Sequence, residues 1–418
     1  MLETGAPGGP TTPDLTDLDL FDDGFPHEVF ADLRRETPLF WHPPTEHTPD
    51  GVGFWVVTTH ELAREVAADP GLYSSAAAPG QEGGGTLIED LPVGLGPGVL
   101  LNMSDDPRHS QFRKLLTPSV LPKALRTIED DLRSRSRSIV DDALEKGECD
   151  FVLDVAAELP LQAVSQLIGV PQEDRHRLFG WANATLDYDG RELGQATERS
   201  MQAAAEMYAY GAELLASKRE SPGSDLISVV AQATIDGQPL SEFEIQMLFN
   251  LLMAAGSETT RNSITLGLLG ILAHEGMWQR LAEDPSLVPG AVEEMLRFAS
   301  STPYNRRSAT RTHHLGGETI AAGDKVTVWW ASANRDEAVF ARPDVFDPTR
   351  NPNPHLAFGR GGHFCLGAPL ARLEMTLVLE ALLESVERIE QTGPVEYSRS
   401  NKHSGVRRMP VRMVKRDD

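Results

Sequence analysis

The segment from Phe358 to Gly367 constrains this chain more than any other stretch. It reads Phe-Gly-Arg-Gly-Gly-His-Phe-Cys-Leu-Gly, and a long amphipathic helix is predicted directly after it, over roughly 366–386. Glycine lets the backbone turn tightly and brings its N–H groups close to a partner. The start of a helix adds a positive partial charge. Both effects favour thiolate over thiol, so the pattern predicts a lowered pKa for Cys365 and a site for a soft metal.

Two other interpretations of Cys365 compete with a metal site. A lone cysteine at a helix start is more often a small buried hydrophobic residue than a ligand. A zinc site would need three further ligands, and His363 alone is a poor start. The second cysteine, Cys149, is far away in sequence, so a disulfide framework is not suggested. The glycines around Cys365 favour the metal-binding interpretation.

Hydrophobic periodicity elsewhere predicts a mainly α-helical chain with a small β portion. No internal repeat or linker divides the chain, so we expect a single domain over 21–418. The predicted elements are a mobile tail over 1–20, a helix over 26–36, a strand over 53–58, a long flexible loop over 76–98, a dominantly helical region over 105–300 and a strand over 325–330.

The clearest predicted helix starts at Ser241 and continues to about His274. Ser241 and Glu244 have the spacing of a capping box. Apolar residues follow for much of its length, so we expect this helix to be buried through the middle of the protein.

The middle of this helix contains Ala255-Gly-Ser-Glu-Thr-Thr260, which is poor helix-forming sequence. Thr259 can turn its hydroxyl back to the carbonyl of Ala255 and open the hydrogen-bond ladder. Glu258 beside it would then complete a proton relay from carboxylate to hydroxyl to water. The alternative is a threonine pair that satisfies itself, with Glu258 in an ion pair elsewhere.

The pattern Phe358, Gly361, Cys365 and Gly367 resembles the haem-binding loop of cytochrome P450 enzymes, and the similarity covers the chain from about Phe21 to its end. The resemblance implies the P450 fold, with haem b held between the long central helix and the cysteine loop. It implies that Cys365 is the ligand to the iron, with Phe358 and Gly367 among the cofactor-binding residues. No C-x-x-C-H run is present, so covalent attachment of the haem is not expected.

The same resemblance assigns roles to other residues. Thr259 and Glu258 match the alcohol and acid positions of the family's oxygen-activation motif, and so are the expected catalytic residues. The cations expected to bind the haem propionates are His109, Arg113, Arg307 and His363.

Glu294 and Arg297 resemble the structural E-x-x-R motif of the family. Val345 stands where many members have an arginine that contacts this pair. The third interaction is therefore either supplied from elsewhere in the chain or absent.

The resemblance also predicts where the substrate pocket lies. Its walls are expected from the 76–98 loop, the region 182–193, the central helix and the segment 302–305. The residues singled out are Met253, Ala254, Tyr304 and Asn305. A largely apolar ligand fits these walls. The later part of the chain, over 301–358, is most similar to actinobacterial branches that oxidise sterols and terpenoids, and to branches that β-hydroxylate amino acids on peptidyl carrier proteins.

The formal net charge of −24 favours solubility and disfavours nucleic acid or anionic lipid as partners. No export signal or membrane span is recognisable, so a cytoplasmic location is expected. Electrons must come from outside the chain, since no nicotinamide-binding G-x-G-x-x-G follows a strand. We expect ferredoxin and ferredoxin reductase as donors, docking on a local basic patch formed by Arg108, Arg113, Lys114, Lys123, Arg126 and Arg360.

Three functions are therefore compared. The first is a haem-thiolate monooxygenase that hydroxylates a C–H bond of a small metabolite. The second is a haem-thiolate sensor or carrier without turnover, which would not need Glu258 and Thr259. The third is isomerisation, dehydration or peroxide chemistry, for which a departure from this acid–alcohol pair is expected and none is seen.

Overall fold

The computed structural model describes residues 12–185 and 197–417. Helices dominate the described residues, as predicted. They are α1 (His27–Glu36), α2 (His60–Ala68), α3 (Arg108–Val120), α4 (Pro122–Leu125), α5 (Glu129–Lys146), α6 (Glu158–Ile168), α7 (Arg175–Thr185), α8 (Glu198–Glu220), α9 (Leu226–Ala231), α10 (Glu242–Leu272), α11 (Met277–Glu283), α12 (Val288–Ala299), α13 (Trp330–Ala333) and α14 (Ala368–Ser385).

The strands are short and form small sheets. They are β1 (Leu39–His42), β2 (Phe54–Val57), β3 (Tyr73–Ser74), β4 (Gly83–Gly84), β5 (Leu91–Pro92), β6 (Glu148–Asp150), β7 (Thr234–Ile235), β8 (Gln238–Pro239), β9 (Tyr304–Ala309), β10 (His313–Leu315), β11 (Glu318–Ile320), β12 (Lys325–Trp329), β13 (Val386–Gln391), β14 (Glu396–Tyr397), β15 (Val406–Arg408) and β16 (Pro410–Lys415). The largest sheet has the order β1-β2-β12-β9-β3, with β12 parallel to β2 and antiparallel to β9.

Helix α10 crosses the interior, and its start confirms the predicted capping box. The Ser241 hydroxyl accepts from the Glu244 N–H at 3.2 Å, and the Ser241 N–H donates to the Glu244 carboxylate at 2.9 Å. Glycines allow close packing along its length. A Cβ at Gly256 would lie 2.6 Å from Val164 on α6, and one at Gly267 would lie 2.6 Å from Met295 on α12. The helix is therefore fixed between its neighbours, as expected for a buried element.

The chain between 76 and 98 differs from the predicted flexible loop. It contains the short pair β4 and β5, and its centre is tied to the large sheet. The Lys325 ammonium donates to the Ile88 carbonyl at 2.8 Å, and the Arg306 N–H donates to the Thr86 carbonyl at 3.0 Å. Ile88 is fully buried. These bonds fix the part of the loop that faces the interior.

The amino-terminal segment also differs from its prediction. Residues 12–20 were expected within a mobile tail, but Leu15 and Leu18 are buried and the Leu15 N–H donates to the His42 ring at 3.0 Å. A composition rich in Pro and Asp disfavours folding of this segment, but its leucine side chains are buried and hold it against the rest of the protein. Residues 1–11 lie outside the described part of the chain. Within the described residues, no helix has the length and apolar character needed to cross a bilayer.

Candidate active site

The cysteine loop turns sharply before α14 and presents Cys365 to a cavity. Gly359 and Gly361 have φ values of 67° and 73°, which side-chain-bearing residues rarely adopt. A Cβ at Gly361 would also lie 2.5 Å from the carbonyl oxygen of Ala67. The Cys365 N–H donates to the Phe358 carbonyl at 2.9 Å and closes the loop. Glycines are therefore required here by both conformation and space.

The electrostatics of Cys365 differ from the sequence prediction. Burial raises the pKa of its thiol, although hydrogen bonds from the Gly367 and Ala368 backbone and the charge of Arg113 act in the opposite direction. The side chain is exposed, and it lines the cavity. The backbone N–H groups of the loop favour the thiolate, as predicted. A positive charge from a bound group is needed to outweigh the opposite effect of burial on the thiol pKa.

The four predicted propionate-binding cations converge beside Cys365. The rings of His109 and His363 stack with centroids 3.9 Å apart. Burial, together with the charges of Arg307, His109 and Arg113, lowers the pKa of His363 to about 3. Burial also lowers the pKa of Arg307 to about 10. These shifts indicate a concentration of positive charge that an anionic group would relieve.

Neither arginine of this cluster forms an ion pair within the described ranges. Arg113 donates to the Phe364 carbonyl at 2.7 Å, and Arg307 donates to the Arg306 carbonyl at 2.9 Å. His109 lies 3.8 Å from the carboxylate of Asp106. Cations without carboxylate partners, next to a cysteine sulfur, fit haem, which brings two propionates and an iron that accepts a thiolate.

A cavity of about 650 Å³ extends from Cys365 to α10, and a second of about 240 Å³ shares its walls. Of the residues predicted for the substrate pocket, Ala254 and Asn305 line the larger cavity. Met253 is instead fully buried in the apolar core around α10. Tyr304 is fully buried against Trp329, with ring centroids 4.8 Å apart. The predicted walls 302–305 and 76–98 contribute through Thr302, Asn305, Thr86 and Leu87.

The predicted wall at 182–193 is only partly described. Thr185 lines the cavity, while residues 186–193 of this prediction lie outside the described residues. Cavity residues that sequence reasoning did not identify are Leu100, Met103, Met207, Met247, Asn250, Leu251, Lys402 and His403. Some of these residues are apolar, as is typical of a substrate pocket. Apolar residues are too common in the chain for this property to identify the ones that line the cavity.

The central part of α10 brings Thr259 and Glu258 to the cavity. The Thr259 hydroxyl donates to the Ala255 carbonyl at 2.8 Å, which confirms the predicted hydrogen bond. Glu258 is only 1% exposed and borders the same cavity. The helix is continuous from Glu242 to Leu272, so the predicted opening of the backbone hydrogen bonds does not interrupt it. The Thr259 hydroxyl thus donates to the Ala255 carbonyl in addition to the backbone N–H of the helix, on the side that faces the cavity.

Glu374 is a buried acid of the cavity wall that the sequence reasoning missed. It lies on α14 and is 1% exposed. Burial raises the pKa of its carboxyl to about 8, and a hydrogen bond with Thr260 acts in the opposite direction. A signal was present, because Glu374 is an acid on the apolar face of a helix that begins just after Cys365.

The predicted structural pair Glu294 and Arg297 lies on α12, and both side chains are fully buried. They form two hydrogen bonds of 2.9 and 2.7 Å. Arg350 donates to Glu294 at 3.1 Å and supplies the interaction that Val345 cannot make. Asn334, whose carbonyl accepts from Arg297 at 2.9 Å, uses its side chain to accept from the Leu356 N–H at 2.6 Å. The buried pair is therefore connected to the start of the cysteine loop.

Comparisons with known proteins agree with this geometry. A family model described as cytochrome P450 matches residues 149–408. The chain is 48% identical to a putative cytochrome P450 126 of Mycobacterium tuberculosis, over 96% of this chain and 97% of that protein. It is 36% identical to linalool 8-monooxygenase of Pseudomonas putida, over 96% and 99%.

A solved structure, Mycobacterium marinum cytochrome P450 CYP268A2 in complex with pseudoionone, superposes with a TM-score of 0.84 at 34% identity, covering 92% of this chain and 94% of that one. The predicted family, fold and haem cofactor are thereby confirmed. The chain belongs to the cytochrome P450 family and is a haem-dependent monooxygenase.

Proposed function

We propose that Cys365 is the thiolate ligand of the haem iron, and that the enzyme hydroxylates a C–H bond of a small, largely apolar metabolite of the terpenoid or sterol type. The observation that carries this proposal is one cavity bordered by Cys365, by Arg307 and His363 and by the Glu258–Thr259 pair, with His109 and Arg113 on the adjoining cavity that shares its walls. A haem-thiolate sensor would need the first two of these features but not the third.

The binding residues each have a defined part in this proposal. Arg113 and Arg307 would pair with the propionates through their charges, since neither has a carboxylate partner among the described residues. His109 and His363 would contribute hydrogen bonds from their rings, because burial and the neighbouring positive charges lower the pKa of both. Phe358 and Gly367 frame the sulfur: Phe358 closes the loop through its carbonyl, and the Gly367 N–H points to the thiolate. When bound, the haem supplies the iron at which dioxygen is reduced and a substrate C–H bond is oxidised.

Thr259 and Glu258 would handle the protons. Hydroxylation consumes two electrons and two protons, placing one oxygen atom in the alcohol product and the other in water. Because the Thr259 hydroxyl hydrogen is directed to Ala255, its oxygen remains able to accept from a water in the cavity. The Glu258 carboxyl lies next to it in sequence and can exchange protons through such a water.

The substrate class follows from the cavity wall. Most of the exposed surface of the cavity wall is apolar, although α10 also contributes polar side chains such as Asn250, Thr259 and Ser263. The Asn305 amide oxygen accepts from the Trp330 indole at 2.9 Å, which orients its NH₂ group as a donor. Two of the similar proteins are named for linalool and for a complex with pseudoionone, which are small and largely apolar molecules.

We further propose that electrons arrive from ferredoxin, reduced in turn by ferredoxin reductase, on the surface outside the cysteine loop. Lys114, Lys123, Arg126 and Arg360 are exposed there. Arg108 contributes less than predicted, since its guanidinium pairs with Glu244. An acidic partner is attracted to such a patch even though the net charge of the chain is −24.

The deciding experiment compares wild type with Cys365→Ser and Cys149→Ser. We expect wild type and Cys149→Ser to give the red-shifted Soret band of a reduced, carbon monoxide-bound haem-thiolate protein, and Cys365→Ser to lose it. Cys149 is the matched control because it is a half-buried thiol, with a pKa raised to about 11 by burial, on β6 away from the cavity. A retained band in Cys365→Ser would overturn the ligand assignment. Wild type that consumes electrons with terpenoid or sterol substrates but yields no hydroxylated product would overturn the reaction.

A further inference from the structure

Lys402 is a buried cation in the wall of the larger cavity that the proposed reaction does not use. It is only 7% exposed and follows the strand β14 in a turn between β14 and β15. Its ammonium donates to the backbone carbonyls of Thr86 at 3.2 Å and Tyr304 at 3.0 Å. It also lies 4.6 Å from the centroid of the Tyr304 ring. Two of its three hydrogens are thus used, and one remains.

The turn that carries Lys402 lies on the α10 side of the cavity. The Ser404 N–H donates to the Ser301 carbonyl at 3.1 Å, and the Ser301 and Ser263 hydroxyls are 3.3 Å apart. Ser263 is one turn after Thr259 on α10, where its hydroxyl donates to the Thr259 carbonyl at 2.8 Å. A Cβ at Gly405 would lie 2.8 Å from the Asn262 side chain, so this turn is packed directly on the helix. Lys402 therefore lines the cavity where this turn meets α10 and β9.

The charge of Lys402 is not neutralised locally. Across the described residues 12–185 and 197–417, no carboxylate lies within ion-pairing distance of its ammonium. Burial lowers its pKa to about 7, Arg307 acts in the same direction, and Glu89 opposes them from farther away. Two other buried cations in this region are paired: Arg306 binds Asp90 at 2.7 Å, and Lys325 binds Asp50. An unpaired buried cation is costly, and an anion at this site would offset that cost.

We infer that Lys402 is a specificity-determining residue that binds a carboxylate at the end of the substrate remote from the oxidised carbon. This inference rests on the proposed function, because it adds a charged group to the largely apolar substrate of the same cavity. The remaining ammonium hydrogen and the positive charge both favour a carboxylate over a neutral oxygen. The substrate class is then an apolar carboxylic acid, with its hydrocarbon body along the α10 wall and its carboxylate at Lys402.

The competing explanation is structural: Lys402 fastens Thr86 to β9 and has no contact with the substrate. Lys325 offers a control, because it fastens the neighbouring Ile88 carbonyl at 2.8 Å, is also buried and does not line the cavity. It differs from Lys402 in that its ammonium is also paired with Asp50 and Asp90. Lys325→Met loosens the same loop without removing a cavity charge. Lys402→Met removes the charge and keeps an unbranched side chain, and Lys402→Arg keeps the charge.

The test uses imidazole-terminated alkanoic acids of three chain lengths and their primary amides, titrated into each haem-loaded variant. The imidazole binds the iron and shifts the Soret band, so the tail alone differs within an acid–amide pair of equal shape. We expect wild type, Lys325→Met and Lys402→Arg to bind the acid about tenfold or more tighter than the amide at the best-fitting length, as one charge-assisted hydrogen bond would give. In Lys402→Met we expect the two dissociation constants to become equal.

Three results would overturn the inference while leaving the proposed function intact. These are equal affinity for acid and amide at every length in wild type, an acid preference that survives in Lys402→Met, and a preference lost to the same degree in Lys325→Met. If plain imidazole does not shift the Soret band of wild type at all, the haem pocket itself is wrong, and the proposed function fails together with the inference.

Discussion

Two walls of the cavity differ in how their buried charges are satisfied. In the cysteine-loop wall, formed by 356–374 and its support on α12, the α12 carboxylates are paired: Glu294 with Arg297 and Arg350, and Glu293 with Arg372. In the substrate wall, formed by 86–88, 304–305 and 402–403, Lys402 donates to backbone carbonyls without an ion pair among the residues described. Polar groups that satisfy one another stabilise the fold, whereas buried groups left with spare capacity are available to a ligand.

The comparison predicts the largest loss of stability where the pairs are buried. Replacing Arg297 by Met leaves Glu294 uncompensated in part and removes the donor from the Asn334 and Pro343 carbonyls. We expect a loss of about 3–5 kcal/mol in the free energy of unfolding, or failure to retain haem. Urea unfolding followed by circular dichroism and Soret absorbance measures it.

The matched control is Arg372→Met, in the same wall. Its pair with Glu293 is about one-third exposed on both sides, so we expect a loss of about 1 kcal/mol or less. Equal losses in the two variants would show that burial of the pair does not decide its contribution.

The next effect concerns turnover and lies between the two walls, at α10. In Thr259→Ala, the hydroxyl that borders the cavity is removed while the helix continues around it. We expect product formed per electron consumed to fall about 10- to 100-fold, with hydrogen peroxide formed instead, because the hydroxyl oxygen that positions the proton-carrying water is lost. Thr259→Ser should restore most of the yield. An unchanged yield in Thr259→Ala would contradict the assignment of this hydroxyl to proton delivery.

A different kind of effect, on the pH dependence of stability, is expected from Glu374. The pKa of this carboxyl is raised to about 8 in the folded protein, whereas an unfolded chain gives about 4.3. Between these values the folded state binds a proton that the unfolded state lacks, so stability decreases as pH rises from about 4.3 to about 8, by up to about 1.4 kcal/mol per pH unit. Urea midpoints measured across this range should show a shallower slope in Glu374→Gln. A slope unchanged by this substitution would mean that Glu374 titrates normally.

The two walls also differ in how far the sequence predicts them. Cys365 and the glycines before it are contiguous, and the capping box that starts α10 has a fixed spacing, so local chemistry predicts both. Pocket residues are harder, because neighbours in sequence point in different directions. Ala254 lines the cavity while Met253 beside it lies in the core, as expected from the rotation of about 100° per helical residue.

On strand β9, and for residues that stand alone in the sequence, the neighbouring sequence also does not predict which side chains reach the cavity. Tyr304 and Asn305 alternate across β9, but both faces of this strand meet protein, so hydrophobicity does not reveal which one meets the cavity. Lys402 stands alone in its segment, and its importance arises only when the fold brings distant segments around it. Arg350 replaces the arginine absent at Val345 for the same reason, since its partner Glu294 is distant in sequence.

The smallest effect, on the rate of electron transfer from ferredoxin, is expected on the outer face of the cysteine-loop wall. The charges there are exposed to solvent, whereas Lys402 is buried. Lys114→Glu reverses one exposed charge on α3, next to Arg113, whose guanidinium binds the carbonyl of the partly exposed Phe364. We expect kcat/KM for reduced ferredoxin to fall about fivefold at low salt, and the difference to disappear at high salt because exposed charges are screened. Arg388→Glu on β13 makes the same change in net charge away from the patch and should leave the rate unchanged. If kcat/KM falls equally in both variants, ferredoxin responds to the overall charge of −24 and not to a local patch. The two walls would then differ only in their buried charges.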